Sequence, residues 1–141
     1  MVAESRFIVR ADDRPVIDQH DPGDPHWTGA GGDPRDEGRM IELISRRITG
    51  SQSMLVGLAW LSPGETHLLH HHPNADEWYY VISGSSTFTV ADETARAGPG
   101  TAIFTPAGTP HRIDNDGDET LFFAWGFNRS ELSEVGIVWD E

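Results

Sequence analysis

The chain has 141 residues, enough for one compact domain with its own hydrophobic core. It has no cysteine, which excludes disulfide staples, thiolate metal sites, iron–sulfur centres and cysteine nucleophiles. A formal net charge of −13 repels phosphate backbones and anionic bilayers, so neither nucleic acid nor a membrane is an expected partner.

Met1 to Arg6 shows no basic segment followed by an apolar one, and no apolar run is long enough to cross a bilayer, so a cytoplasmic location is the expectation. Arg6–Arg10 reads as a short strand around Phe7, Ile8 and Val9. Residues 11–38 are crowded with Pro, Gly and Asp and have no apolar period, which predicts a long irregular arm. Such an arm is either a surface loop, a flap over a site or a strap across a dimer. Residues 1–38 are therefore set apart from a β-rich body over 39–128 and an extension over 129–141.

From Met40 the pattern is β. Met40–Thr49 and Ser51–Leu61 are strand-like around Gly50, and in the second both faces are apolar, as in a strand buried on two sides or lying in a subunit interface. Further strands are predicted at Thr66–His70, Glu77–Ile82, Ser86–Ala91, Thr101–Thr105, His111–Asn115 and Thr120–Phe127, punctuated by Pro/Gly/Asp turns. Many short strands at this spacing predict an all-β sandwich or closed barrel. Ser130–Val135 offers one helical turn, with Ser130 as its cap.

The chemistry is concentrated around His70, His71 and His72. Residues two apart on a strand share a face, so His70 and His72 point one way and His71 the other. Pro73 stops the ladder, Asn74-Ala75 turns the chain, and Glu77 can return a carboxylate to the same side. His111 is the other strand histidine with a fitting environment. Three neutral imidazoles and one carboxylate leave a divalent ion with residual charge and open positions, as in catalytic rather than structural sites. His67, of opposite parity to the ligands, is expected at an interface or in solvent, and His20 and His26 belong to the arm.

Gly64, His70, His72, Glu77 and Gly84 have the spacing Gly-x5-His-x-His-x4-Glu-x6-Gly. Gly100, Pro106, Gly108, His111 and Asn115 have Gly-x5-Pro-x-Gly-x2-His-x3-Asn. These blocks resemble the two motifs of the cupin superfamily, with every specified position filled. The resemblance implies a single-domain jelly-roll β-barrel with His70, His72, Glu77 and His111 as metal ligands in its cavity. The metal is one divalent transition ion: iron or manganese is favoured, and nickel, cobalt, copper and zinc suit the same donors. The Asp76-Glu77-Trp78 context resembles the oxalate decarboxylase branch. Those enzymes carry two cupin domains, and their lid glutamate has no counterpart here.

Parity from Glu77 sends Tyr79 and Val81 inward and Trp78 and Tyr80 outward. Tyr79 is either an acid–base group or a packed core residue. With Trp60, Ile113, Phe123 and Trp125 it would wall an aromatic cavity for a small organic molecule. Outward Trp78 and Tyr80 predict a homodimer. The favoured function is a dioxygenase-like oxidoreductase acting on a small molecule. A metal-dependent lyase, decarboxylase or isomerase with Tyr79 as acid–base is the alternative, since Glu-x-Tyr resembles cupin lyases acting on dimethylsulfoniopropionate. A non-catalytic ligand-binding or sensing module is a third.

Overall fold

The computed structural model describes residues 7–27 and 31–141. Arg6, where the opening strand was expected to begin, lies outside the described residues. Among the described residues eleven short strands form two antiparallel sheets packed face to face as a jelly roll. The first sheet has the order β1-β2-β3-β10-β5-β8 and the second β11-β4-β9-β6-β7. Their ranges are β1 Ile17–Asp18, β2 Arg39–Ile44, β3 Leu55–Leu61, β4 Thr66–His71, β5 Glu77–Ser83, β6 Ser86–Val90, β7 Glu93–Ala97, β8 Ala102–Thr105, β9 His111–Asp114, β10 Leu121–Phe127 and β11 Val138–Trp139. Among the described residues no helix is long and apolar enough to cross a membrane.

Phe7–Arg10 forms no strand, and Phe7 and Ile8 are exposed. The sheet edge beside β2 is taken instead by β1, whose Ile17 is buried and pairs with Met40. The strand expected over Met40–Thr49 stops at Ile44. Ser45 Oγ accepts a hydrogen bond from Ile48 N at 3.1 Å, and Gly50 closes the turn at φ 74°, giving a one-turn helix α1, Arg46–Thr49. The N-cap and the left-handed glycine together outweigh the β propensity of Ile48 and Thr49.

Alternation then places the core. In β3, Leu55, Gly57, Ala59 and Leu61 are buried between the sheets. In β5 the buried residues are Glu77, Tyr79 and Val81. In β10 Leu121, Phe123, Trp125 and Phe127 face the same interior. The second apolar face of β3 is outward: Trp60 stacks on Phe122 with ring centroids 5.1 Å apart. Trp125 packs against Gly57, where an added Cβ would sit 2.2 Å from Ile41 O and 2.4 Å from the Trp125 ring, so this inner aromatic and the neighbouring strand both need a glycine there.

The chain ends are folded onto this body. β1 extends the first sheet, β11 pairs with His70 and His71 of β4, and Asp36 forms a bridge with His67. Arg35 of the arm lies over the Trp139 ring at 4.6 Å, so the two ends meet above one mouth of the roll.

Candidate metal centre

β4 carries a bulge that decides which histidines face inward. His67 pairs with Ile113 and His70 with His111, so Leu68 and Leu69 on β4 oppose the single Arg112 on β9. The extra residue resets the alternation, and His67 and His70 are both buried, at 5% and 3% exposure. His67 is thus neither interfacial nor solvated. Beyond the bulge regular parity resumes: His72 points in, while His71 points out to the Asp140 carboxylate at 2.8 Å.

The turn after His72 is pinned by the loop before β9. Gly108 N donates to His72 O at 2.8 Å, and Ala107 N donates to Asp76 Oδ1 at 2.8 Å. Asp76 N in turn donates to Asn128 Oδ1 at 2.9 Å. These bonds hold the end of β4, the start of β5 and the start of β9 around one point. Asn115 acts at the opposite end of β9. Its Nδ2 donates to Leu61 O and Glu119 O, and its Oδ1 accepts from Ser86 Oγ, so this buried amide locks turns rather than facing a ligand.

His70, His72, Glu77 and His111 each present one donor atom, all within 4.8 Å of one another and all buried. Donors about 2.1 Å from one ion are at most about 4.2 Å apart, so small side-chain movements close the set around a cation. Each imidazole is oriented from behind. Nδ1 lies 2.6 Å from Leu68 O in His70, 2.7 Å from Gly136 O in His72 and 3.0 Å from Thr109 O in His111. A carbonyl can only accept, so each Nδ1 carries the proton and each Nε2 offers its lone pair inward, as metal-binding histidines require. Glu77 Oε1 lies 3.3 Å from His72 Nε2 and 3.1 Å from His111 Nε2. Lone pair faces lone pair there unless a proton or cation lies between them. The donor chemistry therefore fits one divalent ion.

Without an ion the imidazoles do not behave alike. Burial, reinforced by His111 and His72, drives the His70 imidazole down to about 2, so it stays neutral as a ligand must. Burial alone would depress His72 too, but the Glu77 carboxylate outweighs it and holds His72 above the ordinary imidazole value. Burial opposes ionisation of Glu77, yet in the absence of a cation a proton on the Nε2 side of His111 and His72, in the place the ion would take, keeps it well below the usual carboxylate range. Burial and the charge of Glu77 raise the Tyr79 phenol well above its ordinary value, and its hydroxyl donates to Glu77 Oε1 at 2.7 Å.

Behind the ligands opens a cavity of about 210 Å³. Of the residues expected to wall it, Tyr79, Phe123 and Trp125 do so. Trp60 does not: it lies on the outer face of β3, against Phe122. Ile113 is fully buried in the core and does not reach the cavity. Sequence reasoning missed Gln19, Trp27 and Asp36 of the arm and Trp139 of β11, which also line it. Aperiodic segments give no facing signal; the local cue was the density of turn residues, which marked the arm as a surface loop, a flap or a strap without naming its side chains.

Comparison with known proteins agrees with this architecture. The cupin domain family profile matches residues 57–127. Oxalate decarboxylase OxdC of Bacillus subtilis is 34% identical over 105 residues, covering 71% of this chain but 27% of that protein. The tetracenomycin polyketide synthase protein TcmJ of Streptomyces glaucescens is 34% identical over 84 residues, covering 60% of this chain and 56% of TcmJ. The oxalate-binding protein of Thermotoga maritima is 30% identical over 87 residues, 62% of this chain and 72% of that protein. The chain thus spans about a quarter of the decarboxylase and about half of TcmJ. A solved structure of oxalate decarboxylase superposes with a TM-score of 0.64 at 29% identity, over 73% of this chain and 28% of that one. With two antiparallel sheets, both sequence blocks and the family profile in agreement, the chain belongs to the cupin family.

Proposed function

We propose that this metal-binding cupin is an enzyme acting on a small, planar, oxygen-bearing organic molecule, with dioxygenase-like oxidation as its reaction class. The observation that carries the reading is the cavity itself. Three of the four ligands, His70, His72 and Glu77, open onto a space walled by Trp27, Tyr79, Phe123, Trp125 and Phe127, with no lysine or arginine among its described lining residues. A structural metal site has no use for such a space. Iron or manganese at His70, His72, Glu77 and His111 would supply a Lewis acid with an accessible redox couple. The Mn(II) centres of B. subtilis oxalate decarboxylase support manganese as one candidate. The chain's own groups do the rest. The aromatic walls exclude water and suit a planar ring. Tyr79, kept as the phenol, orients Glu77 and holds a proton at its hydroxyl beside the ligand set.

The test is oxygen uptake by protein loaded with Fe(II) or Mn(II), offered small phenols and keto acids. Uptake that needs the metal and disappears in His72→Ala is the expected result. Tight binding with no substrate consumed would instead establish a binding or sensing module. A second reading, a metal-dependent decarboxylase or lyase, draws support from the likeness to oxalate decarboxylase and from the Tyr79–Glu77 contact. Oxalate itself suits the cavity poorly, because its second charge would meet Asp36 and Glu77 and no side-chain cation. Release of carbon dioxide from oxalate would decide for that reading.

The proposal includes a homodimer. Trp78, Tyr80 and Ile82 on the outer face of β5 and Phe104 on the edge strand β8 are all exposed, at 39%, 46%, 41% and 61%. Four large apolar side chains on neighbouring strands make a patch that a second copy would cover.

A further inference from the structure

The metal end is not the only polar part of the cavity. Gln19 and Asp36, both from the arm, line it together with His67. Gln19 Nε2 donates to Asp36 Oδ2 at 3.3 Å, which leaves Gln19 Oε1 as an acceptor. That oxygen is buried and has no hydrogen-bond partner among the described residues, although Gln19 is only 8% exposed. An unmatched buried acceptor is costly, and native interiors rarely leave one. Asp36 Oδ1 stands 3.3 Å from His67 Nδ1. His67 Nε2 donates to Glu37 O at 2.7 Å, so the contact of Nδ1 with Asp36 Oδ1 holds through one further proton, carried by either the imidazole or the carboxyl. Asp36 is thereby fixed in place by His67 and Gln19, with its side chain still one-fifth exposed toward the cavity.

We propose that Gln19 and Asp36, positioned by His67, form a second recognition pole that receives a hydrogen-bond donor, a hydroxyl or N–H, on the end of the ligand away from the metal. The bulge places the pole. His67 and His70 lie opposite Ile113 and His111, two residues apart on β9, so at roughly 3.4 Å per residue their backbones stand ~7 Å apart along the sheet. A ligand that reaches both ends of the cavity carries an oxygen anion for the metal end and a hydroxyl or N–H for the Gln19–Asp36 end. Both acceptors belong to the arm, outside residues 57–127 that match the family profile, so the pole distinguishes this chain's ligand rather than the family's chemistry. The inference rests on reading the cavity as a ligand site.

Three probes test it on the full chain loaded with cobalt(II): benzoate, 4-hydroxybenzoate and 4-methoxybenzoate, titrated by calorimetry. The hydroxyl compound should bind about tenfold or more tighter than the methoxy compound, because only it can satisfy the waiting acceptors. In the double variant Gln19→Met, Asp36→Leu that ratio should fall to within about twofold, with cobalt stoichiometry unchanged. If circular dichroism shows that this variant does not fold, Gln19→Met alone should still reduce the ratio. No hydroxyl preference in the wild type, a preference that survives the substitutions, or no binding of any probe to cobalt-loaded protein would overturn the proposal. Phenol against anisole on metal-free protein, followed by ligand-observed NMR, separates the two readings. Failure to load cobalt removes the metal centre, whereas equal binding of phenol and anisole removes the polar pole.

Discussion

His70 is where the metal-free fold is most exposed to acid. Its imidazole is buried, donates from Nδ1 to Leu68 O, and titrates at about 2 instead of 6.5 because burial and the neighbouring His111 and His72 oppose a charge. The folded value lies below the unfolded one, so below pH 6.5 the unfolded chain binds the proton more tightly than the native one. The stability is complete above that point and drains away as pH falls toward about 2. Between about pH 7.5 and about pH 4.5 the two titrations differ by nearly two decades, or roughly 3 kcal/mol. His70→Gln removes the titrating group and keeps a polar side chain. Urea unfolding of both chelator-treated proteins at the two pH values is the assay. Wild type should lose roughly 3 kcal/mol more than His70→Gln on acidification, which for a urea slope of about 2 kcal/mol per molar is a difference of roughly 1–2 M in midpoint. Equal losses would refute the picture of an imidazole forced to stay neutral.

Glu77→Gln removes the sole anion from the ligand set and should weaken metal retention by about tenfold or more, measured by competition with a coloured chelator. Metal affinity should also fall with acid, because ion binding must expel the proton that Glu77 helps His72 to hold above its ordinary 6.5. The fall should begin near neutrality, at up to about tenfold per pH unit for each proton displaced, and a pH-independent affinity would contradict it. Trp78→Asp should convert a dimer to monomer in sedimentation velocity, and an unaltered profile would place that ring outside any interface. Gly57→Val would drive a side chain into Ile41 O and the Trp125 ring, costing about 1–3 kcal/mol or more in thermal or urea unfolding and distorting the cavity wall.

The parts of the fold legible in the sequence were those governed by strict alternation and turn chemistry. β5 and β10 are regular where they meet Glu77 to Tyr79, so counting in twos put Tyr79, Phe123 and Trp125 inside and Trp78 and Tyr80 outside. The same counting failed for His67, because a bulge adds a residue without any mark in composition. Trp60 failed for a different reason. Both faces of β3 are apolar, and nothing local says that the face bearing Trp60 packs outward on Phe122 while the small residues Gly57 and Ala59 admit Trp125 inside. The arm and the last strand carry no period at all. Their placement comes from tertiary contacts such as Asp36 with His67, Arg35 with Trp139, and Gly136 O with His72 Nδ1. So the ligands could be read from the chain, and the roof over them could not.

Elemental analysis of tag-free protein, alongside His72→Ala and His111→Ala, addresses the metal centre most directly. The wild type should carry close to one divalent transition ion per chain, and each variant should lose it while keeping its β-sheet circular dichroism. Wild-type protein that stays metal-free after incubation with iron, manganese, cobalt and zinc, or variants that retain a full equivalent, would show that the four buried side chains do not hold an ion.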